Sequence, residues 1–179
     1  MKFTSTLAAA AGVVATAQAQ YFSVISARSA SPIHLRPLQA RNYGIWIGGE
    51  AATYCPEVAA PSCPNTTYTN FAGGEGSLFM GTEVPGGQEV YIDPEAGALS
   101  YTRPHSAAMP EGAIRTGWSL DFLSSYGTLA YEGGLVACNQ TADEYQVYAV
   151  TNGTSPPGDC LGFDALTSNQ TKPAAWEYI

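Results

Sequence analysis

Residues 117–160 read GWSLDFLSSYGTLAYEGGLVACNQTADEYQVYAVTNGTSPPGDC, and this stretch decides the fold. Trp118, Leu120 and Phe122 alternate with Ser119 and Asp121, which is the period-2 pattern of a strand with one buried face. Three more strand patterns follow in the same stretch, at residues 128–132, 135–138 and 145–150. Turn residues separate these patterns, so the stretch predicts four strands, and it contains no catalytic motif.

The rest of the chain carries similar signals. Short runs of β-forming residues, separated by Gly and Pro, occur at 21–27, 33–35, 44–47, 77–80, 90–92, 98–102, 162–166 and 174–178. After residue 19, no segment of eleven or more residues has helical periodicity. We therefore predict an all-β fold: a single-domain antiparallel barrel or sandwich of about ten short strands. Blocks that begin near Tyr21, Ser77 and Trp118 raise a β-trefoil-like barrel as a specific form of it.

Three other segments are predicted to be irregular. Residues 53–70 contain two Cys-Pro pairs and many hydroxyl residues, which indicates a surface loop. The glycine-rich segment at residues 73–76 lacks the Lys and Ser/Thr of a phosphate-binding loop and is interpreted as an ordinary loop. Residues 102–116 contain two prolines and are expected to form a long connection.

The N-terminus has the features of a secretory signal peptide, predicted to span residues 1–19. Lys2 is the basic residue, Leu7–Val14 is the apolar core, and Ala17-Gln18-Ala19 fits the A-x-A cleavage rule. The apolar run is too short to span a membrane. We therefore expect one secreted β domain at residues 20–179, with no membrane span.

The charge of the chain argues against one class of partner. Removal of Lys2 with the signal peptide leaves six basic and fifteen acidic side chains, a net charge of −9. Acidic proteins are repelled by phosphate backbones, so no nucleic-acid partner is expected. Only 12% of residues are charged, and the polar surface must come largely from hydroxyls and amides.

Four cysteines follow the predicted signal peptide: Cys55, Cys63, Cys138 and Cys160. An even number in a secreted chain favours two disulfides, and three connectivities are conceivable. We favour the sequential pairing because each pair brackets a turn-rich loop; the chain-entropy model gives about 2.6 and about 3.4 kcal/mol for the two loops. A zinc site is disfavoured because neither histidine is at ligand spacing from a cysteine.

The sequence predicts no catalytic site, no metal site and no cofactor. His34 is interpreted as a solvated strand residue, and His105 lies in a loop without a nucleophile elbow. A Ser/His/Asp catalytic triad is not favoured, since a triad is defined by its geometry and the presence of the residue types alone does not indicate one. Paired carboxylates for glycoside hydrolysis are conceivable, but the sequence does not give their separation; the candidates are Glu75, Glu83, Glu89, Asp93, Asp121 and Glu132.

The remaining candidates for functional sites are aromatic residues and N-glycosylation sequons. Trp46 and Trp118 are predicted core residues, since aromatics dominate small β cores. The side chains that could stack on sugar rings are Tyr43, Tyr54, Tyr68, Tyr126 and Trp176, with Trp46 as a less favoured member. N-glycosylation sequons occur in turn-rich sequence at Asn65, Asn139, Asn152 and Asn169, and we expect at least one to carry a glycan.

Several motifs of the chain resemble one group of small secreted fungal proteins. The motifs are SARSASPIHLRPL at 26–38, TYCP at 53–56, VPGGQEVYIDP at 84–94 and HSAAMPEG at 105–112. They resemble IgE-binding or hypersensitive-response-inducing proteins. The motifs GWSLDF at 117–122, LAYEGGLVAC at 129–138 and DCLGFDAL at 159–166 also resemble phialide-type cell-wall proteins of moulds. The resemblance covers nearly all of the chain after the signal peptide, but these motifs are family marks and transfer no active site.

The resemblance implies an extracellular or cell-wall location and, for some members, recognition by plant immunity or by IgE. Our first hypothesis is a non-enzymatic secreted protein, associated with the cell wall or acting as an effector or elicitor on a host. A small hydrolase acting on wall polysaccharide and a glycan-binding module are the alternatives. The expected partners are cell-wall glycans or a host receptor.

Overall fold

A computed structural model describes residues 20–59, 61–64 and 66–179 of the chain. These residues form strands and turns and contain no helix, which confirms the all-β prediction. The strands are β1 (Tyr21–Ala27), β2 (Leu38–Arg41), β3 (Gly44–Ile47), β4 (Thr53–Tyr54), β5 (Phe71–Glu75), β6 (Ser77–Met80), β7 (Val90–Ile92), β8 (Leu99–Tyr101), β9 (Trp118–Leu123), β10 (Tyr126–Tyr131), β11 (Leu135–Thr141), β12 (Glu144–Ala149), β13 (Cys160–Gln170) and β14 (Glu177–Tyr178). The predicted signal peptide, residues 1–19, lies outside the described residues, as does Asn65.

The longest strand, β13, is the centre of the main sheet. It pairs with all of β1 along residues 164–170, with β10 along 165–168 and with β11 along 160–163, each time antiparallel. The sequence pattern predicted only residues 162–166 of this strand. Strand β13 thus joins the first described strand to the hairpins of the 117–160 stretch.

Two groups of strands extend from β13. One group continues through β1, β5 and β6 on one side and through β10 and β9 on the other. The second group runs through β11, β12, β3, β8 and β7, and β2 pairs with β3. This strand path is open within the described part of the chain, so the sandwich alternative fits, and the closed barrel with threefold repeats does not.

Aromatic pairs from the first group of strands contribute to the core. The rings of Phe22 and Phe71 stack with their centroids 6.1 Å apart, and the Trp118 ring meets the Tyr131 ring edge-on at 5.3 Å. Trp118 is 4% exposed, which confirms its prediction as a core residue. Such pairs add about 0.5–1.5 kcal/mol beyond the area that they bury.

The prediction of Trp46 as a core residue is wrong. On β3 the neighbours Ile45 and Ile47 are fully buried, and the alternation of the strand turns Trp46 to the outer face, where it is half-buried. There the indole N–H donates to the Arg41 carbonyl at 3.1 Å, and the Arg41 guanidinium lies 4.9 Å from the ring centre. This tryptophan covers the sheet surface and does not anchor the core.

The predicted edge strand at residues 33–35 is a turn. Leu35 has φ 57°, its side chain is 56% exposed, and its N–H donates to the Ser26 carbonyl at 2.7 Å. Prolines 32 and 37 bracket the segment, and β2 begins after the second of them. His34 is therefore a turn residue and not a strand residue, and its Nδ1 accepts a hydrogen bond from the Arg28 N–H at 3.2 Å.

The glycine-rich segment interpreted as a loop belongs to β5. The β5–β6 register shifts between Gly73 and Glu75, so Gly74 forms a β-bulge. Gly74 has φ 99°, and a Cβ there would lie 2.8 Å from the Cβ of Leu120 on β9. Only glycine allows this approach, and it brings the β5–β6 hairpin against β9, where Gly76 and Trp118 form an isolated β-bridge.

Two disulfides are present. Cys55 and Cys63 are joined across the loop that follows β4, with Cα atoms 6.0 Å apart. Cys138 and Cys160 are paired residues on β11 and β13 and are joined across these neighbouring strands. The bonds therefore link residues that are 8 and 22 positions apart in the chain, and both are local in sequence.

The C-terminal strand is fixed by the side chain of Gln88, which is fully buried before β7. Its Nε2 donates to the carbonyls of Thr102 (3.0 Å) and Tyr178 (2.9 Å), and its Oε1 accepts from the Tyr178 N–H at 2.8 Å. The side-chain amide thus substitutes for a neighbouring strand. Nothing in the local sequence pattern predicts this role.

Candidate functional site

A groove of about 830 Å3 lies between the β5–β6 hairpin and β9, and we call it the β5–β9 groove. It is lined by Gln20, Tyr21, Ala72, Gly73, Glu75, Ser77, Phe79, Met80, Thr82, Gly87, Leu120 and Phe122. The bulge at Gly74 holds the hairpin close to Leu120, which is itself part of the groove lining. Such concave sites between elements are the usual places where small ligands bind.

The wall of the groove combines aromatic side chains with open backbone. Phe79 is 39% exposed on the outward face of β6, and Tyr21 and Phe122 are half-buried. Gly73 has no side chain to cover the backbone beside them, and a Cβ there would lie 2.8 Å from the Ser77 carbonyl oxygen. Exposed aromatic faces next to exposed backbone and to the polar side chains of Glu75 and Ser77 suit a ligand that has both flat apolar faces and hydroxyl groups.

Glu75 is the single carboxylate among the residues that line this groove. It is exposed at the end of β5, with the hydroxyl-bearing Ser77 and Thr82 also in the lining. Glycoside hydrolysis needs two carboxyl groups that face each other across the scissile bond. The groove therefore has the composition of a binding site and does not bring together the pair that hydrolysis needs.

The other carboxylates predicted as candidates have local partners or face solvent elsewhere. The Asp93 carboxylate accepts the N–H groups of Glu95 (3.0 Å) and Ala96 (2.8 Å), as expected for an aspartate in a turn. Glu89 is held by two hydrogen bonds from the Arg115 guanidinium, at 2.9 and 2.6 Å. The remaining three are on the surface outside the groove lining: Glu83, Asp121 and Glu132.

Neither histidine lines the β5–β9 groove. His34 lies beside Arg28 in a separate shallow cleft, and His105 is exposed in the loop after β8 with φ 56°. Partial burial raises the pKa of Glu177, and the nearby His105 opposes this rise. Across residues 20–59, 61–64 and 66–179, no three His, Cys, Asp or Glu side chains form a group that could hold a metal ion.

The aromatic residues proposed for stacking on sugars are dispersed. Tyr54, Tyr68 and Tyr126 are 50%, 42% and 70% exposed, and none of them lines the groove. Tyr43 and Trp176 are half-buried. Sequence reasoning missed the aromatic residues of the groove itself, although Phe79 was detectable as the outward residue in the alternation Leu78, Phe79, Met80.

The described sequon asparagines are accessible. Asn139 in β11, Asn152 in the turn after β12, and Asn169 in β13 are all exposed. Two of them are thus strand residues and not turn residues. Exposure is what an oligosaccharide requires, so the prediction of glycosylation stands.

We expect the secreted protein to carry N-linked glycans at one or more of its four sequons, at Asn65, Asn139, Asn152 and Asn169. Treatment with an endoglycosidase should lower its intact mass, and peptide mapping should identify the modified asparagines. Replacing the third residue of each sequon with alanine (T67A, T141A, T154A and T171A) provides the control, because each change removes the sequon and leaves the asparagine in place. A mass unchanged by the enzyme in the unaltered protein would contradict the prediction.

No membrane-spanning helix is found in the portion of the chain that the structure describes.

Comparison with known proteins gives the remaining evidence. Residues 22–179 match the model of a family described as PhiA-like secreted protein. An uncharacterized secreted protein of Arthroderma benhamiae is 37% identical over an alignment of 154 positions, which spans 79% of this chain and 77% of the relative. The cell wall protein phiA of Emericella nidulans is 30% identical over an alignment of 192 positions, which spans 99% of this chain and 99% of the relative. No solved structure matches the chain significantly.

Proposed function

Because this chain belongs to the PhiA-like secreted protein family, we propose that it is a non-enzymatic protein of the fungal cell wall that binds wall polysaccharide in the β5–β9 groove. One relative, which this chain matches over nearly its whole length, is named as a cell wall protein. The observation that carries the proposal is the groove itself, which has exposed aromatic faces and one carboxylate. The chain would thus be a secreted domain at residues 20–179, released from a signal peptide at residues 1–19.

The ligand that suits this groove is a neutral polysaccharide. A sugar ring has one flat apolar face, which matches Phe79 and Phe122, and hydroxyls, which match Glu75 and the open backbone at Gly73. The secreted domain has six basic and fifteen acidic side chains, a net charge of −9, so an acidic polymer would be repelled by the surface as a whole. An uncharged glucan has no such penalty.

We expect Phe79→Ala to weaken binding to insoluble wall glucan about tenfold, because the exposed aromatic face is lost. The measurement is the depletion of purified protein from solution by increasing amounts of the polymer. Tyr126→Ala is the matched control, since it removes an exposed aromatic side chain that lies outside the groove lining. Both sites are on the surface, so both variants should stay folded by circular dichroism.

Equal loss of binding in both variants, or a loss only in Tyr126→Ala, would contradict the assignment of the groove.

The hydrolase alternative is tested in the same assay by measuring the release of reducing sugars. Alanine at His34, His105, Asp121 or Glu132 should leave wall association intact. If the protein released sugars and Glu75→Gln abolished that release, the non-enzymatic proposal would fail.

A second candidate function is recognition by a host, either as an elicitor of the hypersensitive response or as an IgE-binding allergen. The observation that favours it is the loop closed by Cys55 and Cys63, where Val58 is 95% exposed. An apolar side chain held outward on a disulfide-closed loop is a suitable contact for a receptor or an antibody. Leaf infiltration and IgE binding with Val58→Ser test it: if both responses were unchanged, this loop would not be the recognised surface.

A further inference from the structure

A second cavity, of about 490 Å3, lies on a different part of the surface, and we call it the Tyr43 pocket. Its walls include Tyr43, Tyr91, Tyr101, Arg103 and Ser106, and it shares no lining residue with the β5–β9 groove. Tyr43 belongs to the β2–β3 turn, Tyr91 to β7, and Arg103 and Ser106 to the loop after β8. Three separate segments therefore converge on this pocket.

Tyr43 is held in a backbone conformation that tyrosine disfavours. Asn42 and Tyr43 have φ 51° and 57°, as in the type I′ turn that commonly joins two strands, whose second position is normally glycine. The tyrosine ring is fixed there by its neighbour Tyr101, with centroids 5.6 Å apart, and the Tyr43 carbonyl accepts the Tyr101 N–H at 3.1 Å. A strained residue at the wall of a cavity is a reason to look for a function.

Arg103 supplies a positive charge at the same place. Its guanidinium lies 5.2 Å from the centre of the Tyr43 ring, and it is in the exposed loop. The ion pairs found in the described residues are Arg41 with Glu144 and Arg115 with Glu89, and Arg103 takes part in neither. Outside an ion pair, a guanidinium has its N–H groups available as donors, and their planar, forked arrangement matches the oxygens of a carboxylate or a phosphate.

Ser106 adds a hydroxyl group to the pocket. Its Oγ accepts the Ala108 N–H at 3.1 Å, which leaves the hydroxyl hydrogen available to a ligand. Tyr91 is half-buried and contributes a second ring. Aromatic walls suit the flat face of a sugar ring, and an arginine and a serine suit its polar substituents.

We propose that the Tyr43 pocket binds an acidic sugar, one that carries a carboxylate or a phosphate group. The guanidinium of Arg103 receives the anionic group, and Tyr43 and Tyr91 contact the ring. The site is separate from the groove assigned to neutral polysaccharide and does not depend on it. It gives this acidic protein a local place at which an acidic wall component is held, although the surface as a whole repels one.

The test is titration of the unaltered protein with glucuronic acid and with mannose 6-phosphate, followed by NMR. Glucose and mannose are the neutral counterparts, and inorganic phosphate tests for an anion without a sugar. We expect one or both acidic sugars to shift resonances of the pocket, at least about tenfold more tightly than their neutral counterparts or inorganic phosphate, with binding that weakens as salt rises. Equal binding of neutral sugars or of inorganic phosphate, or no binding by either acidic sugar, would overturn the proposal.

Two variants locate the site. Arg103→Gln should weaken binding about tenfold or more, because the charge is lost, and Arg28→Gln, at an exposed arginine outside the pocket, should leave it unchanged. Tyr43→Gly removes the ring and at the same time relieves the backbone strain. It should therefore weaken binding in a protein whose fold is kept, as judged by an unchanged spectrum away from the pocket. Unchanged affinity in Arg103→Gln or in a folded Tyr43→Gly would place the ligand elsewhere and overturn the proposal.

Discussion

Replacement of Gln88 by methionine is expected to lower the free energy of unfolding by about 3 kcal/mol or more. Methionine has a similar length but neither donates nor accepts strongly, so the carbonyls of Thr102 and Tyr178 and the Tyr178 N–H lose the partner that they have in the interior. Each buried polar group left unpaired costs about 1–3 kcal/mol. Urea denaturation followed by tryptophan fluorescence measures the change.

Gln140→Met is the matched control for this prediction. Gln140 is exposed on β11, so the same chemical change there should alter the free energy of unfolding by less than about 0.5 kcal/mol. If Gln88→Met were as stable as this control, the three hydrogen bonds would contribute no net stability. The result would then show that the other contacts of the C-terminal strand are sufficient, among them its pairing with β4 and the hydrogen bond from the Asn70 N–H to the Tyr178 hydroxyl.

The second large effect is expected from loss of the bond between Cys138 and Cys160. The double variant Cys138→Ser, Cys160→Ser should lose about 2–5 kcal/mol, of which the chain-entropy model assigns about 3.4 kcal/mol to the closed loop. Cys138 is fully buried, so its serine hydroxyl must also find a partner in the interior. For a chain of this size we expect a fall in Tm of roughly 6 to 12 °C for a loss of 3 kcal/mol.

The double variant Cys55→Ser, Cys63→Ser is the comparison. It opens a shorter loop on the surface, for which the same model gives about 2.6 kcal/mol, and it places no new hydroxyl in the core. Its Tm should fall less than that of the first double variant. A larger fall would show that the loop after β4 stabilises the fold more than the link between β11 and β13.

The strands that the sequence predicted well are those with uninterrupted alternation. The bounds of β1, β3, β6 and β7 agree with the pattern because their apolar residues point alternately to the core, as at Phe22 and Val24. Strand β5 was missed because glycines carry no hydrophobic signal, and the turn at Leu35 was missed because two apolar residues at spacing two imitate a strand. Local pattern therefore predicts strands but not bulges or turns that long-range contacts impose.

The candidate site could be predicted less well from the sequence than the strands. The β5–β9 groove depends on the approach of Gly74 to Leu120, residues separated by more than forty positions, and no local pattern reports such a contact. The role of Gln88 depends in the same way on Tyr178. In contrast, the hydrogen bonds that Asp93 accepts from Glu95 and Ala96 lie within three residues, so the local sequence is sufficient to account for them.

The central place of β13 has a consequence for the order of events during biosynthesis. The longest pairing of β1, with β13, needs a strand that is made some 140 residues later. Until β13 emerges, earlier elements offer β1 only the short pairing of Tyr21 and Phe22 with β5 and the bridge between Ile25 and Pro37. At typical elongation rates of about 5–20 residues per second this interval is roughly 7 to 30 s. During it, both the Cys55–Cys63 bond and modification of the first sequons can be completed on a chain that has no finished sheet. Oxidation and glycosylation would then precede folding, and a chaperone that shields strand edges would act mainly on the segment from β1 to β12.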